Sequence, residues 1–302
     1  MIWTFIKKNF FDGWENIGNV IVANLLQIPF IGLIVLVLVK KEFKGPLTFF
    51  EIINESEVDG PFYFFQTDLT KDYLTNFDII KAAIIFLSVF LAVVFAAAYA
   101  KSAFSISNYE SVKAGDYFKN IGWAFKETSG LGLIIACIVM SFIVGIPVYL
   151  YQYFHLGQMY GLILAGILFC FLVTMLLALQ WFVALKVNFG FDFKKTFSKC
   201  FVILFDNFGF SVFMAFYSAV LFALSCVLLF FMPGLCGINL GYINALKLRL
   251  YKYDWLDQHK DLKNAKDRKN VPWDALLKED KDILSKKSLK TMLMPWKDKN
   301  ED

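Results

Sequence analysis

Six continuous apolar runs set what this chain can fold into: residues 17–39, 79–102, 131–153, 159–187, 208–232 and 235–250. About 20 such residues in a helix cross a ~30 Å hydrocarbon core, so the first five are long enough. The sixth gives about 24 Å of helix and is short. None alternates apolar and polar positions as a spanning β-strand does. Hydrophobic residues make up 58% of the 302 and charged residues 19%, with a mean hydropathy of +0.56. A soluble domain averages about 45–50% apolar residues and has no interior for the excess. That excludes a water-soluble enzyme, a secreted disulfide scaffold, a coiled coil and a disordered chain. The expected fold is an all-α, polytopic transmembrane helix bundle over residues 1–253, with a charged tail over 254–302. The first run follows Lys7 and Lys8. It is too long for a signal-peptide core and no A-x-A site closes it, so it reads as a retained helix.

The distribution of Lys and Arg orients the bundle, since cytoplasmic connections carry the positive excess. With the N-terminus inside, segments 1–16, 101–130, 186–207 and everything after Leu246 hold 25 of the 30 Lys+Arg. The external segments hold the other five. The external segment 40–78 is acidic, carrying Glu42, Glu51, Glu55, Glu57, Asp59, Asp68, Asp72 and Asp78. Trp3, Trp14, Trp123, Trp181 and Trp255 fall near the same expected inner boundary. Both termini are therefore expected in the cytoplasm, and the protein in a cell (inner) membrane. Thirty-five Phe and a strong preference for Lys over Arg suggest a low-GC bacterial genome.

Three inner segments resemble one another: FIKKNFFDGWENIGNV, YFKNIGWAFKETSGLG and FKKTFSKCFVILFDNFG. Each mixes Lys with aromatic residues and ends in an acid, a polar residue, any residue and Gly. The acids are Glu15, Glu127 and Asp206, followed by Gly18, Gly130 and Gly209. Residues 3–14, 116–126 and 192–204 are expected as in-plane amphipathic helices, rings toward acyl chains and amines toward anionic lipid. Each acid would cap the first turn of the following span, and each Gly would permit the bend. Basic, aromatic and capping residues also mark any inside-to-outside helix start, which is the alternative to a true internal repeat.

The stretches AAAYAKSAFSISNYESVKAGDYFKNIGWAFKETSGLGLIIA, ALKVNFGFDFKKTFSKCFVILFDNFG and MPGLCGINLGYINALKLRLYKY resemble the YesL-like family of bacterial multi-pass membrane proteins. The resemblance covers residues 5–40 and 79–253. The external segment 41–78 is longer than in that family and the tail after Asp254 is extra. The resemblance implies a six-helix bacterial inner-membrane protein, some of whose relatives accompany carbohydrate uptake systems. It supplies no functional residues to carry over.

Motifs for nucleotide, metal or calcium binding are absent. The two histidines, His155 and His259, and five cysteines, Cys137, Cys170, Cys200, Cys226 and Cys236, are scattered. No cofactor, metal site or disulfide is expected. The sequon Asn54-Glu55-Ser56 has no expected role. Polar residues inside the spans are costly and therefore informative: Asn24, Gln27, Gln180, Asn239 and Asn244. They suit either a small solute site or interhelical hydrogen-bond glue. The second is favoured because no acid or Arg sits at a midplane. Lys81, Lys186 and Lys247 lie near span ends, where they can snorkel to water. Gly234, Gly237, Gly241 and Ala245 form one small-residue ridge, and Ala92, Ala96 and Ala100 another, for close helix packing. In the tail, Trp273, Leu276, Leu277, Ile283, Leu284, Leu289, Met292 and Leu293 give an imperfect helical stripe ending at Pro295.

The functional expectation is a non-enzymatic accessory or assembly component linked to solute or carbohydrate uptake. Its partners would be the lipid bilayer and transporter subunits or other membrane proteins, and not nucleic acid. The alternative is a small-solute transporter or channel built on the midplane Asn/Gln set and a kink at Pro29. An intramembrane enzyme is disfavoured, because no nucleophile–base or metal set is visible.

Overall fold

The computed structural model describes residues 1–39, 79–259, 271–285 and 287. The acidic segment 40–78 with its sequon, and the tail positions Leu289, Met292, Leu293 and Pro295, lie outside them. The described residues are helical throughout, with short connections. In chain order the helices are α1 (Ile2–Glu15), α2 (Ile17–Leu25), α3 (Ile28–Val39), α4 (Ile79–Ala98) and α5 (Ala100–Ser107). Then come α6 (Ala114–Met140), α7 (Ile146–Leu156), α8 (Met159–Leu179), α9 (Phe182–Phe189) and α10 (Phe193–Asp206). The last are α11 (Phe208–Val227), α12 (Gly234–Gln258), α13 (Trp273–Leu276) and α14 (Lys278–Ser285).

Four helical stretches are long and apolar enough to cross a membrane: Lys81–Ser107, Ala114–Phe154, Met159–Phe189 and Phe208–Val227. The pair α2 and α3 passes the same test only when the two are taken together, with a bend of 47° between them. Pro29 sits in the first turn of α3, where its missing N–H is no loss. The amide of Gln27 meanwhile donates to the Ala23 carbonyl at 3.3 Å, just before the break. On α8 the side chains of Ile163, Ile167 and Phe171, four residues apart, are each more than half exposed. Such a stripe on a long apolar helix suits acyl chains rather than water.

The short sixth run proves to be part of a 25-residue helix, α12, about 37 Å long. It is the hub of the bundle, touching α1, α2, α4, α5, α9 and α11. Its low hydropathy follows from that position: enclosed by protein, it carries Gly, Asn and Cys where a lipid-facing helix carries Leu and Phe. Gly234, Gly237 and Gly241 are all buried. A Cβ on Gly237 would come within 2.6 Å of Pro233. One on Gly241 would meet the Asn9 amide at 3.5 Å and the Tyr217 ring at 3.6 Å, which is ordinary contact. Gly241→Ala should therefore melt close to the parent in detergent. Gly241→Leu should lose about 1–3 kcal/mol by overpacking. Equal melting of the Leu variant would place this face against lipid.

The threefold resemblance resolves into two matching segments and one that differs. Both α1 and α10 are separate amphipathic helices that end on the acid, Glu15 and Asp206. Each is followed by an Asn with a non-helical backbone: Asn16 at φ −109°, ψ 22° and Asn207 at φ −130°, ψ 43°. Each Asn side chain donates to the carbonyl four residues back, Asp12 at 3.0 Å and Ile203 at 3.5 Å. Asn offers the backbone this local alternative to helix, which is why the break falls there. The expected bend at Gly18 and Gly209 is thus displaced onto the Asn before each. In the middle segment Thr128 replaces Asn. Its hydroxyl donates to the Ala124 carbonyl at 2.7 Å with no break. Residues 116–126 therefore belong to the helix Ala114–Phe154, 41 residues and about 62 Å long. They are not a separate in-plane helix, and Gly130 lies mid-helix, correcting that expectation.

Candidate functional site

The polar residues expected inside the spans act as clamps between helices. Asn24 on α2 donates to the carbonyls of Phe231 (3.1 Å) and Pro233 (2.9 Å). Its own oxygen accepts from the Cys236 N–H at 3.1 Å. It thereby holds the turn that joins α11 to α12. Gln27 donates to Cys236 Sγ at 2.9 Å. Asn239 donates to the Ala96 carbonyl of α4 at 2.8 Å. Asn244 donates to Asn9 Oδ1 at 3.3 Å, and Asn9 to the Tyr217 hydroxyl at 2.8 Å. Gln180 donates to the carbonyls of Leu177 (2.8 Å) and Ser211 (3.0 Å) and accepts from Tyr242 at 3.2 Å.

Two of the five, Gln180 and Asn239, share a cavity of about 450 Å³ with Tyr242. Its other walls are apolar, including Val93, Leu131, Leu176 and Ile238. Asn24, Gln27 and Asn244 lie elsewhere, so the set does not converge on one pathway. Trp181, expected at the membrane boundary, is instead fully buried. Its indole N–H donates to Ser211 Oγ at 3.0 Å and its ring stacks on Phe210. The aromatic-belt pattern and a core Trp look alike in sequence, because both put Trp near a span end.

The capping role expected of the three acids does not hold. No side chain caps α2 or α11, whose N-cap residues are Asn16 and Asn207. Glu15, Glu127 and Asp206 instead pair with lysines far along the chain. The distances are 2.7 Å to Lys287, 2.7 Å to Lys186 and 3.0 Å to Lys252. A carboxylate at the last residue of one helix points back along that helix, toward whatever element packs beside it. Lys186 and Lys247 do not snorkel either. Lys186 is buried against Glu127, and Lys247 donates to the Ser107 carbonyl at 2.7 Å.

A polar centre that the sequence reading missed lies near the C-terminal half of α12. Lys8 and Asp12, one turn apart on α1, form a 3.0 Å ion pair with side-chain exposures of 0% and 2%. The Lys8 ammonium sits 3.7 Å from the centre of the Tyr109 ring. Lys247 and Lys287 approach the same ring at 5.1 and 5.8 Å. Tyr109 has a left-handed backbone, φ 62°, and its hydroxyl donates to Asp280 Oδ1 on α14 at 2.6 Å. Burial pushes the Asp12 carboxyl above the ordinary carboxylate range, despite the opposing pull of Lys8 and Asn244. Three ammonium groups face Asp12, Asp280 and Glu15, so charge balances. The arrangement fastens α14 and Lys287 onto α1 and the loop after α5. The i, i+4 spacing of Lys8 and Asp12 was visible in sequence; that it is buried was not.

Asp206 contributes through its charged form. Burial opposes ionisation, but bonds from Tyr253 (2.5 Å), Lys252 (3.0 Å) and Asn207 (3.1 Å) hold its carboxyl below the usual range. A depressed folded pKa gives stability that is present above the unfolded value of about 4 and lost as pH falls through the folded value. The melting temperature of the parent should exceed that of Asp206→Asn at pH 7, and the gap should close on acidification below pH ~4. A gap unchanged at acid pH would mean that the charge is not what stabilises.

Among the described residues no group of three His, Cys, Asp or Glu is placed to hold a metal ion. The cysteines are free: Cys200 and Cys236 are buried, and Cys137, Cys170 and Cys226 are exposed. No family model matches the chain, and no curated protein or solved structure matches it either.

Proposed function

We propose that this chain is a six-span membrane protein of the YesL-like kind, with both termini in the cytoplasm of a bacterium. On this reading it works without catalysis, as an accessory or assembly component beside solute- or carbohydrate-uptake proteins. The observation that carries the reading is the use of the intramembrane polar groups. Asn24, Gln27, Gln180, Asn239 and Asn244 all bond to neighbouring helices or to their own. Groups engaged in this way rigidify a bundle rather than solvate a passing solute. The tail helix α14, clamped to α1, adds a charged face at the end of the bundle where Lys and Arg concentrate.

Two experiments test the reading. Alkaline phosphatase fused after Asp254 should be inactive and a fluorescent protein there should glow; an active phosphatase would give an odd number of spans. Full-length protein purified from native membranes in mild detergent should bring permease or solute-binding subunits with it. Purification as a lone species, with no loss of uptake on gene deletion, would sink the accessory role.

The cavity beside Gln180, Asn239 and Tyr242 favours a second reading, a small-solute transporter. Solute flux in liposomes, lost in Gln180→Leu, would support it over the first.

A further inference from the structure

Arg249 on α12 has no carboxylate or carbonyl partner among the described residues. Its guanidinium lies over the Phe210 ring at 4.0 Å from the centroid, with the Trp273 ring at 5.6 Å. Its Nε is sealed from solvent with no hydrogen-bond partner. Ring faces attract a guanidinium but do not occupy its in-plane N–H donors. The half-buried Arg249 side chain borders a cavity of about 320 Å³. Asn207, Phe208 and Gly209, at the start of α11, form another part of the wall. That helix has 20 residues and no side-chain cap, so the positive end of its dipole faces this side, opposed in part by the C-terminal end of α10 one residue earlier. The carboxylate on the wall, Asp206, is already matched by Lys252 at 3.0 Å and bonded by Tyr253 and Asn207. Asp206 attracts the Arg249 guanidinium too, so one acid faces two cations, Lys252 and Arg249.

We propose that this cavity is an anion site that takes a phosphate group, held by the Arg249 guanidinium and assisted by the start of α11. An Arg at this point, one of only two Arg among the 30 Lys+Arg of the chain, fits the chemistry, because its planar fork binds two phosphate oxygens at once while Lys offers a point charge. Trp273 and Phe210 keep the fork in plane. The phosphate can come from an anionic lipid headgroup or from solution. The site is separate from the Lys8–Asp12 centre and does not depend on the accessory role.

The test uses purified full-length protein in neutral detergent. The probes are inorganic phosphate, short-chain phosphatidylglycerol and the diacylglycerol of the same chains. A saturable rise in melting temperature is expected with phosphatidylglycerol and not with diacylglycerol. A rise with inorganic phosphate as well identifies free phosphate as sufficient; a rise with the lipid alone identifies the headgroup. Arg249→Gln should weaken binding by roughly tenfold or more, and Arg249→Lys should recover part of it. Gly209→Glu guards against a folding artefact. A Cβ there meets nothing within 4 Å, and an acid in the first turn of α11 suits the helix. It should fold as the parent and lose the anion. No saturable response to either phosphate probe, an equal response to diacylglycerol, or parent-like binding by Gly209→Glu would each overturn the proposal.

Discussion

Lys8→Ala and Asp12→Ala are each expected to destabilise the protein by about 3–5 kcal/mol, because each leaves one uncompensated charge inside the fold. The pair sits where neither partner reaches solvent, and no water shell is at hand to replace the missing group. The double replacement Lys8→Met/Asp12→Leu removes both charges and keeps most of the volume. It should cost far less than either single change, so the two single losses do not add. Thermal melts in detergent of the four proteins provide the check. Single variants melting with the parent would mean that α1 shifts to let water reach the remaining charge, and the buried centre would not be a structural fastening.

Gly234→Ala should cost at least as much, about 4 kcal/mol or more, from two separate causes. The backbone at Gly234 is left-handed, φ +59°, which a residue with a Cβ adopts at a cost of about 1–2 kcal/mol. The added Cβ would also overlap the amide group of Asn24. Asn24 would have to move, leaving the Phe231 and Pro233 carbonyls and the Cys236 N–H without their partner, at about 1–3 kcal/mol for each buried group. Asn24→Ala removes the clash but also the clamp. Gly234→Ala in that background should therefore cost only the backbone term. Full additivity of the two losses in melting experiments would show that Asn24 and Gly234 do not share one site.

The candidate polar residues were legible as residues and not as partners. A hydropathy run marks Asn24, Gln180 or Asn239 as exceptions, since each is costly in lipid. It does not say which helix supplies the matching carbonyl. The acids show the same limit. Glu15, Glu127 and Asp206 stand at corresponding places in three similar segments, and local rules favour a cap at each. Their lysine partners lie 272, 59 and 46 residues away in sequence. A cap is a local option, but an ion pair across helices becomes available only once those helices are neighbours.

What short-range physics controls could be read from the order of the residues. Long apolar runs became helices. Pro29 placed the break in the first span. The Lys–aromatic periodicity of α1 and α10 made amphipathic helices, and the Asn after each ended them. The packing of the helices settled the other features. It set α12, the shortest and least apolar run, at the centre of the bundle, where small and polar residues pack against protein instead of lipid. It buried Lys8 with Asp12 beneath Tyr109, and it turned Trp181 inward. The physical reason is that hydropathy measures transfer of one residue from water to lipid. A helix enclosed by other helices meets neither solvent, and its residues are chosen by the shape and hydrogen-bonding groups of neighbours distant in the chain.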